Sequence, residues 1–178
     1  MIRKLSHQEI MARQVSGSRS PRVPMVVVLD NIRSLLNVGA IFRAADGMGV
    51  EKLMLCGITG YPPQGGIAKT ALGAEESVPW EYHQDAAAVV MALKDNGFEI
   101  VLLEQTHEAL SLEMYVPKGP VCLVVGNEVD GVSEGLLPLA DAAVEIPMTG
   151  IKNSLNVAVA FGVAGFTIAS RLRSVSLS

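Results

Sequence analysis

Residues 146–166, IPMTGIKNSLNVAVAFGVAGF, join a polar beginning to a helix-forming segment made almost wholly of apolar and small residues. A helix that is apolar nearly all round has to be buried nearly all round. One polar residue is enough to cap a helix N-terminus, yet Asn153, Ser154 and Asn156 crowd this one. We expect Asn153 or Ser154 to cap a helix from about Ser154 to Arg173, which leaves the other polar side chains to be explained.

Upstream of this segment, apolar runs of strand length alternate with segments of helical spacing. Strands are predicted at 24–30, 52–57, 98–105, 121–126 and 142–147, with a short one at 78–83. Helices are predicted at 6–14, 38–49, 85–97 and 133–140, the last capped by Ser133. Residues 64–76 are predicted as a glycine-rich loop and a short helix. This alternation indicates an α/β fold, a mostly parallel sheet with helices on both faces. We predict one domain at 23–173, after a basic helix, arm and linker at 1–22 and before a tail at 174–178.

Composition narrows the class of protein. Hydrophobic residues make up 49% and charged residues 18%, which excludes a disordered chain. No uninterrupted apolar run reaches about 18 residues, and the N-terminus is too polar for a signal peptide, so we expect no membrane partner. Cys56 and Cys122 lie inside apolar strands and indicate buried thiols of a reducing compartment, hence a cytoplasmic, bacterial-type protein. No Cys/His ligand spacing occurs, so no metal site is predicted.

Charge is unevenly placed along the chain. Residues 1–22 carry five basic groups and one acid, so they hold +4 of a net charge of −4 and leave −8 for the remainder. A basic arm on an acidic body points weakly to a polyanion partner. On charge alone, a solvated and frayed N-terminus is the favoured interpretation.

Three polar connections follow predicted strands, at residues 31–37, 126–135 and 146–156. In open parallel sheets, ligands bind at the carboxyl ends of the strands, so these connections are expected at the functional edge. The phosphate-loop, dinucleotide-turn and nucleophile-elbow motifs are all missing from the sequence. Singly, the polar residues have structural explanations: Asn37 as a helix cap, Arg43 paired with Asp46, and Glu128 at the N-terminus of the helix that follows it.

Together, these residues form three motifs that resemble those of the SpoU/TrmH family, a branch of the SPOUT-class RNA methyltransferases. They are N-x-G-x-x-x-R in NVGAIFRAA (37–45), G-x-E-x-x-G in LVVGNEVDGVSEGLL (123–137) and I-P-M-x-G-x-x-x-S-L-N-V in IPMTGIKNSLNVAVA (146–160). The resemblance implies a deep trefoil knot in the C-terminal part of the fold and an obligate homodimer that covers the last helix. It also implies methyl transfer from S-adenosyl-L-methionine to a ribose 2′-hydroxyl of structured RNA, either tRNA or rRNA.

The resemblance also assigns site residues. The catalytic set is Arg43, Asn37, Glu128, Ser154 and Asn156. The cofactor set is Leu103, Gln105, Thr106, Gly126, Asn127, Ile146, Met148, Ser154 and Leu155. A side chain at Gly126 would meet the bound cofactor, which explains the glycine. The RNA-binding set is Arg33, Arg43, Lys69 and Lys152. Arg43 would act on the ribose hydroxyl, either as a base or as a cation that stabilises the developing alkoxide. Asn37 and Arg43 are six positions apart, which we take as close to two helical turns and hence one side of a helix.

Two other functions fit the same motifs. One is a knotted dimer that holds RNA or cofactor without catalysis, and the intact Arg43, Glu128, Ser154 and Asn156 argue against it. The other is a SPOUT relative that methylates a base, and the N-x-G-x-x-x-R motif favours ribose. Many family members carry a separate N-terminal RNA-binding domain. Only about 22 residues precede the first strand here, so we expect the basic arm or the dimer itself to bind RNA.

Overall fold

The computed structural model describes residues 2–16 and 21–175. Its strands are β1 Val23–Asp30, β2 Val50–Cys56, β3 Trp80–His83, β4 Glu99–Leu103, β5 Leu110–Ser111, β6 Val121–Val125 and β7 Ala142–Glu145. Its helices are α1 His7–Ser16, α2 Leu35–Met48, α3 Gly65–Ala71, α4 Ala74–Ser77, α5 Ala86–Asp95 and α6 Val157–Val175, with a 3-10 helix at Glu134–Leu139. Part of the predicted linker, including Arg19, and residues 176–178 of the predicted tail lie outside the described residues.

All seven strands belong to one sheet, in the order β3-β2-β1-β6-β4-β7-β5, and every pairing is parallel. Strand β1 lies inside the sheet, between β2 and β6, and its run of valines is buried nearly throughout. Val27 pairs with Leu53 of β2 on one side and with Leu123 of β6 on the other. Such a doubly paired strand is covered on both faces, which is why its sequence is continuously apolar instead of alternating.

Helices cover both faces of the sheet, as the sequence predicts. On one face, Val27 and Leu29 join a core cluster with Phe42 of α2 and Phe161 of α6. On the other face, Val28 and Val124 pack in a cluster that holds Val90 of α5 and Leu136 of the 3-10 helix. The predicted α/β class with a parallel sheet is therefore confirmed.

The start of α6 differs from the sequence-based expectation. The helix begins at Val157, and its cap is Asn156, whose Oδ1 accepts from the backbone N–H of Ala158 at 3.0 Å and of Val159 at 3.4 Å. The prediction of Asn153 or Ser154 as cap is wrong. Asn156 takes this role because a partner 119 residues away holds its side chain, as described below.

Three further differences are local. Ser133 does not cap the helix that follows it, since its backbone N–H donates to Asp30 Oδ2 at 2.7 Å and its hydroxyl accepts from Asn31. That helix is of the 3-10 type and contains Pro138, which cannot donate a helical hydrogen bond. Residues 64–76, predicted as a glycine-rich loop and a short helix, form the two short helices α3 and α4. The two-residue strand β5 was not predicted, because so short a segment carries no periodicity.

Among the described helices, only α6 is long and apolar enough to cross a membrane by length and composition. Core helices of globular proteins meet the same criterion. One face of α6 is fully buried, with Phe161, Ala164 and Ile168 in the core, and the helix packs beside α2. The fold therefore explains the apolar residues on the buried face of α6, whereas Val159, Val163 and Phe166 on its other face are exposed.

Candidate active site

The three predicted polar connections meet at the carboxyl edge of the sheet. Asn127, after β6, donates its Nδ2 to the backbone oxygen of Asn31, after β1, at 2.8 Å. Asn31 adopts a left-handed backbone conformation, with φ of 58°, that asparagine tolerates better than most residues. Its Oδ1 accepts from the N–H of Ile58 at 3.1 Å, so a single asparagine joins the ends of three neighbouring strands.

Side-chain hydrogen bonds connect Glu128, Asn37 and Asn156 in a chain, which we call the relay. Asn37 Nδ2 donates to Glu128 Oε1 at 2.9 Å, and Asn156 Nδ2 donates to Asn37 Oδ1 at 3.1 Å. Each motif supplies one member, although the members are far apart in sequence. Since both ends of the Asn37 amide are engaged, its orientation is set.

Asn37 does not cap α2. Ser34 is the cap, and its hydroxyl accepts from the backbone N–H of Asn37 at 3.3 Å. The helix therefore begins before Asn37 and ends at Gly49, whose φ of 70° is the left-handed value that closes many helices. The capping explanation for Asn37 is wrong, and its side chain is left for the relay.

Glu128 lies at the N-terminus of α2, where the helix dipole favours a negative charge, and not at the helix that follows it in sequence, as expected. Its carboxylate accepts from the backbone N–H groups of Arg33 at 3.0 Å and Ser34 at 3.1 Å, as well as from Asn37. Partial burial raises the pKa of Glu128, but hydrogen bonds from Arg33, Asn37 and Ser34 outweigh it and leave the pKa below its ordinary value. The side chain is therefore an anion at neutral pH.

Beside the relay lies a cavity of about 490 Å³, between the segments that follow β4, β6 and β7. Pockets of about 300–1,000 Å³ commonly hold ligands of cofactor size. Glu128 and Asn156 reach this cavity, so the relay forms part of its wall. The cavity is also lined by eight residues of the predicted cofactor set: Leu103, Gln105, Gly126, Asn127, Ile146, Met148, Ser154 and Leu155. The ninth, Thr106, is not among the described lining residues.

Gly126 has a structural reason to be glycine. A Cβ at this position would lie 2.2 Å from the carbonyl carbon of Gly131 and from the backbone nitrogen of Val132. We expected a bound ligand to exclude a side chain here. The backbone of the following loop already excludes it, because that loop folds back over Gly126.

Arg43 lies apart from the relay. It is exposed on α2, and among the described residues it makes no ion pair and does not line the cavity. The expected pairing with Asp46 does not form, since Asp46 accepts from Ser77 at 2.6 Å. Six residues turn a helix by about 600°, which is about 120° short of two turns. Asn37 and Arg43 therefore do not share a helix face, and the prediction that they lie on one side of the helix is wrong.

The remaining predicted residues fall on the surface around the site. Ser154 is exposed at the cavity without a side-chain hydrogen bond among the described contacts. Of the predicted RNA-binding cations, Arg33 precedes α2, Lys69 lies on α3 and Lys152 precedes α6, and all three are exposed. The structure thus joins Asn37, Glu128 and Asn156, but it does not join them to Arg43.

Two polar residues of the site were missed from the sequence. Asn31 connects the strand ends, and its only sequence signal is an asparagine directly after a buried strand. Glu104 follows β4 in the same way, is half-buried, and accepts from Val132 N–H at 2.9 Å and from Gln105 N–H at 2.8 Å. Neither belongs to a motif, so only their position at a strand end could have pointed to them.

The fold and the site define a class of protein: a parallel α/β protein with a cofactor-sized cavity at the strand ends and a hydrogen-bonded relay beside it. Residues 24–166 match the SpoU rRNA Methylase family, which covers most of the chain and all three motifs. The chain belongs to this family, and the predicted family resemblance is confirmed.

Individual relatives agree with this assignment. The chain is 32% identical over 145 residues to the 23S rRNA (guanosine-2′-O-)-methyltransferase RlmB of Vibrio parahaemolyticus, which covers 80% of this chain and 58% of that protein. It resembles the crystal structure of the TrmH/SpoU tRNA-modifying enzyme of Aquifex aeolicus with a TM-score of 0.81 and 26% identity, over 96% of this chain and 86% of that one. It also resembles an AdoMet-bound rRNA methyltransferase from Sinorhizobium meliloti with a TM-score of 0.76 and 25% identity, over 90% of this chain and 62% of that one. The chain spans about three fifths of the length of the first curated relatives it matches, 58% and 61%.

Proposed function

We propose that this chain is an S-adenosyl-L-methionine-dependent methyltransferase that acts on a ribose 2′-hydroxyl of structured RNA. The relay of Glu128, Asn37 and Asn156, set against a cavity of cofactor size, carries this proposal. The printed names of the relatives support it: one is a ribose 2′-O-methyltransferase of rRNA, one modifies tRNA, and one is bound to AdoMet.

The described cavity suits such a cofactor chemically. Its walls include the apolar side chains of Val125, Val144 and Leu155, which can sandwich an adenine, while backbone groups of the connecting segments can bind the polar edge of the ring. The cofactor would supply an electrophilic methyl group. Gln105 Nε2 donates to the backbone oxygen of Asn153 and so joins the two segments that flank the cavity opening.

The acceptor needs help from the protein, because a ribose hydroxyl is a weak nucleophile. Methyl transfer forms an O–CH₃ bond and breaks the S–CH₃ bond, which leaves a neutral thioether, and the hydroxyl proton passes to solvent water. Arg43 has no hydrogen-bond or ion-pair partner among the described residues, so its guanidinium is available to stabilise the developing alkoxide. The relay would hold Asn37 and Asn156 in fixed orientations toward the ribose and the neighbouring backbone of the RNA.

We include a homodimer in the proposal. Val159, Val163 and Phe166 lie at i, i+4 and i+7 on α6 and are 52%, 43% and 59% exposed. Leu36 on the adjacent α2 is 50% exposed. A single chain leaves this apolar face in water, and a second copy packed on it would bury the face. Arg43, exposed on α2, would then be able to reach a cavity that it does not line in its own chain.

The C-terminal knot is also part of the proposal. Family membership supports it, because the resemblance to the SpoU/TrmH family implies such a knot. Single-molecule pulling from both ends provides a test. A knotted chain should reach a contour length shorter than 178 extended residues, and full extension would exclude the knot.

RNA binding would depend on local cations, because the body of the chain is acidic. Arg33, Lys69 and Lys152 are exposed near the strand-end edge or on segments that lead to it. Within the N-terminal arm, Arg3 already forms an ion pair with Glu9 at 2.6 Å, which reduces the charge available to RNA. Phosphate contacts weaken steeply with salt, so the affinity for RNA should fall as the salt concentration rises.

We place this activity in the cytoplasm, where tRNA and rRNA are found in bacteria.

The deciding experiment maps both 2′-O-methyl sites and methylated bases in total RNA from cells with and without the gene. A site that disappears in the deletion and returns with the wild-type gene would identify the RNA and the nucleotide. Loss of a methyl group from a base would favour the base-methylating alternative. An unchanged methylation map, together with tight cofactor binding, would favour the non-catalytic dimer.

A further inference from the structure

We infer that Glu104, which lies outside all three motifs, is a positioning residue for the cofactor site. Its carboxylate holds the loop at residues 126–132 in the shape that forms one wall of the cavity and presents Glu128 to Asn37. The inference rests on the proposed function, because it takes the cavity to be the cofactor site.

Glu104 bridges two neighbouring strand ends. It follows β4, which pairs with β6 up to the Leu103–Val125 register, and the 126–132 loop follows β6. Its Oε2 accepts from the backbone N–H of Val132 at 2.9 Å, while its Oε1 accepts from the N–H of Gln105 at 2.8 Å. The first bond anchors the end of the loop, and the second orients the carboxylate. Hydrogen bonds to charged groups are stronger than those between neutral groups.

The loop packs closely against Glu104 at Gly131. Asn127 and Gly131 exchange two backbone hydrogen bonds, of 2.9 and 3.0 Å, which fold the loop back over Gly126. A Cβ on Gly131 would lie 2.2 Å from Glu104 Oε2, and the φ of Gly131 is 73°, in the left-handed region. Gly131 therefore lies between the carboxylate of Glu104 on one side and Gly126 on the other.

The same loop has a second attachment. Glu128, at the corner of the turn, binds the N–H groups of Arg33 and Ser34 and the amide of Asn37. The loop is thus anchored by Glu104 toward the cavity and by its own Glu128 toward α2. Releasing the Glu104 attachment would move the cavity wall and lengthen the bond from Glu128 to Asn37. Both cofactor affinity and turnover should then respond to Glu104, although it takes no part in the chemistry.

The test compares Glu104→Gln with Glu108→Gln. Glutamine has the same shape, but its NH₂ group would face one of the two N–H donors, so one of the two hydrogen bonds is lost. Glu108 lies four residues further on, is exposed and makes no side-chain hydrogen bond among the described contacts, so its variant removes the same charge from the same segment. Titration calorimetry with S-adenosyl-L-methionine should show affinity about 10-fold weaker for Glu104→Gln and unchanged for Glu108→Gln.

A steady-state measurement separates positioning from general instability. For a positioning residue, the KM for the cofactor rises and kcat falls in Glu104→Gln. A partly unfolded protein would show a reduced binding stoichiometry and a reduced kcat at an unchanged KM and Kd. If Glu104→Gln does not fold, Glu104→Asp takes its place, because it keeps the charge but is one methylene too short to hold both N–H groups.

The outcomes distinguish this inference from the proposed function. Wild-type protein that does not bind the cofactor would overturn the proposed function. Wild-type binding combined with a Kd and KM for Glu104→Gln within about two-fold of wild type would overturn the role of Glu104 and leave the function intact.

Discussion

The relay and the exposed face of α2 and α6 are two parts of the same proposed site, but they differ in how complete they are. Within the relay, the amides of Asn37 and Asn156 and the carboxylate of Glu128 have partners inside the chain. On the exposed face, Arg43 has no partner among the described residues, and Val163 and Phe166 are open to water. The chain by itself therefore orients the polar groups of the relay. In the proposed enzyme, a second copy of the chain, the RNA or both would supply the partner of Arg43.

The largest expected effect concerns Arg43. Arg43→Ala should lower kcat by about 10³-fold, because removing one group that stabilises a developing oxyanion has effects of this size. Cofactor affinity, measured by calorimetry, should stay within about two-fold of wild type, since Arg43 does not line the cavity of its own chain. Arg43→Lys keeps the charge and is the matched variant. Full activity of Arg43→Ala would end the proposed role.

The next effect concerns the centre of the relay. Asn37→Asp keeps the shape of the side chain but places a carboxylate against Glu128, in place of the donor now 2.9 Å from it. We expect kcat to fall by about 10²-fold and the free energy of unfolding to fall by about 1–3 kcal/mol. Asn96→Asp, at the exposed end of α5, is the control for the amide-to-acid change. Equal losses in both variants would show that the relay has no special role.

The exposed face is tested by Phe166→Glu. A charge in the centre of an apolar interface is costly to bury, so sedimentation at micromolar concentration should show a dimer for wild type and a monomer for the variant. Met91→Glu replaces a residue of similar exposure, 49%, on α5 at the opposite face of the sheet, and should stay dimeric. Wild-type protein that sediments as a monomer would contradict the interface and the shared role of Arg43.

The smallest effect is the pH dependence of stability that comes from Glu128. Its folded-state pKa lies below the ordinary value of 4.5, so the ionised carboxylate stabilises the fold above that pH. This contribution is lost as the pH falls through the folded-state pKa. Urea unfolding between about pH 6 and pH 3 should show a shallower loss of stability for Glu128→Gln than for wild type. Glu134→Gln, at an exposed position, should follow the wild-type curve.

Much of the fold was predictable because its elements carry strong local signals. The apolar run of β1 and the helical spacing of α2 and α5 all led to elements that the structure contains at nearly the predicted positions. The predictions of local structure were wrong where a residue distant in sequence binds the groups concerned. Ser133 looks like a helix cap in sequence, but its N–H and hydroxyl are bound by Asp30 and Asn31, about 100 residues away.

The sequence predicted which residues belong to the site better than it predicted how they are arranged. The motifs named Asn37, Glu128 and Asn156, and the structure joins all three, but the motifs did not show which of them touch. The prediction that one polar residue at the start of α6 caps the helix while another serves the site is wrong. Asn156 does both, because it caps the helix and also binds Asn37. The catalytic, cofactor-binding and RNA-binding roles stay predictions, as do the domain bounds.

The sequence by itself determined the alternation of strands and helices and the family, since periodicity and motifs are properties of neighbouring residues. Only the tertiary structure decided that Glu128 reaches Asn37, that Glu104 anchors the loop around Gly131, and that Arg43 lies away from both. The physical reason is distance along the chain. Hydrogen bonds between residues about 30 to 120 positions apart depend on how β1, β4 and β6 are ordered in the sheet, and no local pattern records that order.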